Sequence, residues 1–202
     1  MESRLRDETQ RSIEKPSLES HQGVALAIIN RKVPTSMLDH AQSHTELSLP
    51  RLDAAAAWTL LLSGAVATAA FDFFGQSLSP MLGFPNLAPV PLANNVINVL
   101  FGATYAPGAH FLHYLAGLVA YPLGWMLVAA PLARRLAPGL PWWVAASGYG
   151  VALWVFALYV MAHLVAGNPA FLGFTGITWV ALAGHVIFAL AAAAVMRWRG
   201  VP

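Results

Sequence analysis

From Gly75 to Ala133 the chain carries no Asp, Glu, Lys or Arg, and the same is true from Leu136 to Met196. Tracts of this length contain apolar runs beyond roughly 18 residues, which read as helices crossing a bilayer. In a membrane every backbone N–H and C=O must be satisfied within the protein, so such runs fold as helices packed on one another. Charged residues make up only 10% of the chain, against about a quarter in soluble domains. The sequence is that of an all-α, polytopic membrane protein.

Punctuation divides the chain into a polar N-terminal tail, residues 1–53, and a four-span membrane domain, residues 54–200. The expected spans are about 54–75, 108–130, 141–166 and 171–196. Pro107 and Pro141 open the second and third spans, where a missing N–H costs nothing. Pro122 predicts a bend in the second, which is expected to end before Pro131. Residues 76–106 form an uncharged loop with Pro80, Pro85, Pro89 and Pro91, in which Leu92–Phe101 reads as a short interfacial or re-entrant helix. In the tail, which reads as largely disordered, Val24–Ile29 followed by Arg31-Lys32 is a candidate surface helix. The start Met1–Asp7 is polar and of mixed charge, without the apolar core of a signal peptide.

Lys and Arg occur in the tail, between spans two and three, and at the C-terminus. The positive-inside rule then puts both termini in the cytoplasm and the two neutral loops outside. Trp58, Trp142, Trp143 and Trp198 would form an inner aromatic belt. The formal net charge of +2 gives no reason to expect nucleic acid as a partner. The expected surroundings are the lipid bilayer and, in some readings, a membrane-protein partner or a second copy of the chain. With no cysteine, disulfides, thiolate metal sites and thiol catalysis are excluded.

Counting depth along each helix at about 1.5 Å per residue brings titratable groups from three spans to one level near the outer face. They are Asp72, the His110/His113 pair and His163. His110 and His113 are three apart and share a helical face, with Tyr114 and Gly117 following on the same stripe. Phe156, Tyr159 and His163 form a second stripe. His185 falls near the bilayer centre, with Thr178 two turns away. Imidazole and carboxylate ligands suit a divalent metal, histidines on two helices can clamp haem b, and the same groups can relay protons.

The expected metal set is His110, His113, His163 and Asp72, with His185 as a helix contact or proton acceptor. Lone histidines in spans also serve simply as helix contacts. A second reading is a non-catalytic membrane subunit or assembly factor that docks through small residues, namely Ser63, Gly64, Ala67, Gly148 and Gly150; Gly117 is expected as a further helix-packing position. A third is a small proton or solute channel. No nucleophile elbow, phosphate loop, His-Glu-x-x-His motif or carboxylate pair is present, so no catalytic residue is assigned.

The C-terminal two thirds resembles the YagU-like family of small bacterial inner-membrane proteins. The likeness runs over roughly residues 54–200. It lies in a first span, a long outer loop, a second span with an early histidine leading to a tyrosine (His113 to Tyr121), and two further spans. It extends to Ala183-Gly184-His185-Val186-Ile187-Phe188 ahead of Arg197-Trp198-Arg199. The long tail and the position of His163 depart from the pattern. The resemblance implies a bacterial inner-membrane location and draws attention to His113 and His185; it implies no reaction.

Overall fold

Asp53 starts the first span by accepting the Ala56 N–H on its side chain at 2.8 Å, a cap for a backbone donor that the helix leaves unpaired. The computed structural model describes residues 53–201; the tail and its Val24–Ile29 patch lie outside the described residues. Five helices follow: α1 (Ala54–Met81), α2 (Pro89–Phe101), α3 (Ala106–Leu136), α4 (Trp142–Val165) and α5 (Gly176–Trp198). All but α2 are long and apolar enough to cross a membrane, and no strand occurs among the described residues. This is a multi-pass, all-helical membrane protein. Large apolar side chains such as Leu61, Phe111, Val128 and Trp179 are exposed on the bundle's outside, where lipid takes the place of water.

Each spanning helix touches the next. α1 packs on α3 and α5, and α4 packs on α5 and the later part of α3, so the four close into a bundle. One core cluster joins Leu60, Trp125, Met126, Ala146 and Met196 towards the chain termini. Another joins Ala67, Phe71, Leu87, Leu158 and Phe188 towards α2. Small residues bring the backbones close. A Cβ on Gly64 would strike the main chain of Leu118 on α3, and one on Gly150 would strike the main chain of His185 and Val186 on α5.

The spans are longer than the prolines suggest. α1 runs past Gly75 to Met81, and α3 passes through Pro131 to Leu136. The reason is a widened turn ahead of each proline. Pro80, Pro122 and Pro131 each follow by two residues a π-helical segment: Phe73–Leu78, Ala116–Ala120 and Trp125–Ala129. Proline has no N–H, and its ring crowds the carbonyl four residues back. The residue just before each proline therefore donates five back: Ser79 to Phe74, Tyr121 to Ala116 and Ala130 to Trp125. The helix continues through each proline. A fourth π-helical stretch, Phe156–Val165, ends α4.

The fourth span starts at Gly176, later than the expected 171. Before it, Phe171, Leu172, Gly173 and Phe174 all have left-handed backbone angles, with φ of 49°, 53°, 72° and 54°. Such a turn costs about 1–2 kcal/mol per non-glycine residue. It is held by the Thr178 hydroxyl, which donates to the Phe171 carbonyl at 2.6 Å, and by the Phe171 ring against Trp154 and Tyr159. At the same end of the bundle, α2 lies against the start of α3 and the end of α4. Its Gly102 cap and the Tyr105 N–H donated to Asn94 Oδ1 at 2.8 Å fix the chain's re-entry into α3.

Candidate functional site

The stripe of α3 that turns inward is Ala109, His113 and Gly117, four residues apart; Ala109 and Gly117 are buried and His113 is 12% exposed on its side chain. From that stripe His113 reaches Asp72 on α1. A carboxylate only accepts, so Nε2 carries the proton and donates, at 3.1 Å to Oδ1 and 3.2 Å to Oδ2. Gln76, one turn beyond Asp72, donates its amide to the same Oδ1 at 2.8 Å. The pair is partly sheltered, Asp72 being 25% exposed, and it is the one histidine–carboxylate contact among the described residues.

Phe71 links this pair to the second imidazole. Its ring centroid lies 6.4 Å from that of His113 and 5.2 Å from that of His185, edge-on in the latter case. His185 is 7% exposed. Its Nδ1 stands 2.7 Å from the Ala181 carbonyl one turn back on α5. A carbonyl only accepts, so Nδ1 carries the proton.

His113, Phe71 and His185 share a partly open cavity of about 540 Å³ lined by the four spans and α2, within the usual range for a small-molecule site. The widened turns shape it: Ala116, Gly117 and Ala120 come from one, and Phe156, Ala157 and Met161 from another. Such segments recur at functional sites because they displace side chains from their α-helical positions. The lining is apolar apart from Thr68, Asn95, His113, Tyr121, Asn168 and His185, and it holds no Asp, Glu, Lys or Arg.

Of the four expected metal ligands, the fold joins only Asp72 and His113. His110 is exposed, because the inward stripe passes through Ala109 and His113 rather than through His110. His163 closes its own turn, donating Nδ1–H to the Asn168 carbonyl at 2.7 Å. Among the described residues no three of His, Cys, Asp or Glu stand close enough to hold one metal ion. Matched depth places residues at one level, but their angular position around each helix keeps these apart.

The remaining expected positions divide in the same way. Tyr114 and Tyr159 are exposed, with rings 5.2 Å from His113 and 5.4 Å from His163. Thr178 is buried and serves the left-handed turn. Ser63 and Ala67 are buried inside the bundle, and Gly64, Gly117 and Gly150 all meet neighbouring helices of this same chain. These small faces are taken up by internal contacts and are not open for docking. Gly148 is exposed, with nothing within 4 Å of the position its Cβ would take, so it packs on no other helix of this chain.

Four contributors were not singled out from sequence. Gln76 was visible as a hydrogen-bonding residue one turn after Asp72. Thr68 stood in the small-residue stretch Ser63–Thr68 and passed for packing. Asn95 and Asn168 carry no signal of their own in an uncharged loop and a turn. Compared with known protein families, with curated proteins and with solved structures, the chain matches none.

Proposed function

We propose that this membrane protein binds a small, uncharged and predominantly apolar molecule in the cavity beneath α2. The observation that carries this reading is the lining: about 540 Å³ with a few polar side chains on otherwise apolar walls and no carboxylate, Lys or Arg. A charged ligand would meet no opposite charge there, and burying it unpaired is costly. An apolar molecule gains by leaving water or headgroups, and the polar groups fix its orientation. The Asp72–His113 pair borders the site and holds α1 to α3 across it.

The placement of Lys and Arg supports a bacterial inner-membrane orientation with both termini in the cytoplasm, so that α2 and the cavity lie towards the outer face. The YagU-like resemblance supports the same location. Native mass spectrometry of the full chain in mild detergent tests the binding reading. One small neutral molecule per chain, lost when Ala116→Phe fills the cavity, is the expected outcome. A wild-type protein that takes up no neutral apolar compound in the same experiment contradicts it.

A further inference from the structure

Two buried polar groups in the cavity wall have hydrogen-bonding capacity that the protein leaves unused. The first is the Thr68 hydroxyl. Hydroxyls in helices usually bond back to a carbonyl of the preceding turn, as Thr59 does to Ala55 and Ser63 does to Leu60, both at 2.8 Å. Thr68 is 4% exposed, and its Oγ1 has no partner. It stands where Gly117 leaves room, since a Cβ on Gly117 would collide with this oxygen. A buried hydroxyl left unbonded costs about 1–3 kcal/mol.

The second is Nε2 of His185. Nδ1–H is committed to the Ala181 carbonyl, and the ring makes no ion pair. An unpaired cation this deeply buried is costly, so the ring is neutral and Nε2 is a bare acceptor. The cavity wall thus holds an acceptor that needs a donor and, at Thr68, an unbonded hydroxyl whose oxygen is covered against Gly117 and which meets a ligand only on turning away from it. Around them stands an aromatic wall of Phe71, Tyr121, Phe156 and Phe188, with Tyr121 edge-on to Phe156 and Phe188.

Resting on the binding reading above, we propose that the bound molecule carries a hydroxyl group on an apolar body. The ligand's O–H donates to Nε2 of His185, and an oxygen of the same molecule accepts the Thr68 proton. A phenol and an aliphatic alcohol share this chemistry and differ in what the aromatic wall can pack against.

The test is equilibrium binding to the full chain in lipid nanodiscs, with empty discs subtracted, using 4-hexylphenol, its methyl ether 4-hexylanisole, and 1-decanol. The phenol is expected to bind about ten-fold more tightly than the ether, the worth of roughly one buried hydrogen bond. Comparison with 1-decanol tells which hydroxyl-bearing body the cavity takes. Thr68→Val keeps the shape and removes an unbonded hydroxyl, so it should leave the melting temperature unchanged or raised while reducing the preference for phenol. His185→Phe should abolish most of what remains. Equal binding of phenol and ether, or a preference that survives both substitutions, overturns the hydroxyl assignment and leaves the binding reading standing. No binding by any of the three compounds overturns both.

Discussion

His113 on α3 donates its Nε2–H to both carboxylate oxygens of Asp72 on α1, at 3.1 and 3.2 Å, across 41 residues of sequence. Apolar attraction between helices is weak in lipid, so a polar contact of this kind is one of the few specific ties available between two spans. A double-mutant cycle on Asp72→Asn and His113→Gln is expected to give a coupling of about 1 kcal/mol, read from unfolding in mixed detergent micelles. A coupling near zero would mean that the pair forms without holding the helices.

Close packing of α1 on α3 depends on the absence of a side chain at Gly64. Gly64→Ala drives a methyl group into the main chain of Leu118 and is expected to cost about 1–3 kcal/mol. Gly148→Ala meets open space and should be neutral, or stabilising by up to about 1 kcal/mol through helix propensity. Melting temperatures of the two variants in one detergent check the contrast.

Pro122→Ala restores an N–H that can bond the Leu118 carbonyl, so the widened turn Ala116–Ala120 is expected to tighten to an α-helical one. Because that turn supplies Ala116, Gly117 and Ala120 to the cavity, binding of 4-hexylphenol should weaken while the melting temperature is largely kept. Unchanged binding would show that the π-helical turn does not shape the cavity.

Thr178→Val deletes the hydroxyl bonded to the Phe171 carbonyl, the contact that anchors the left-handed turn to α5. The expected loss is about 1–2 kcal/mol, with faster proteolytic cleavage within residues 170–174. Cleavage at the wild-type rate would assign the holding of the turn to the Phe171, Trp154 and Tyr159 rings alone.

The spans and the loop helix were legible because uncharged apolar tracts leave a chain in a membrane few alternatives. Leu92–Phe101 was expected as a short helix and is the body of Pro89–Phe101. Helix ends were misplaced where proline was read as a stop. At Pro80 and Pro131 the backbone stays helical by bonding five residues back, a local solution that composition does not reveal. The site was half legible. Depth counting brought together Asp72 and His113, which do meet beside one cavity, but it also gathered His110 and His163, which point elsewhere; His185, expected nearer the bilayer centre, lines the same cavity. Depth follows from residue number, whereas angular position depends on each π-helical turn in between. Thr68 stayed hidden because its role comes from a missing partner, and only a three-dimensional arrangement exposes that.

The most direct test of the central claim is photolabelling of the full chain in lipid nanodiscs with a phenol that bears an alkyl diazirine, followed by mapping of the adducts. Saturable labelling of cavity residues such as Tyr121 and Met161, displaced by 4-hexylphenol, is the predicted result. Labelling confined to exposed residues such as Phe111 and Trp179, rising with probe concentration and insensitive to competitor, would contradict it.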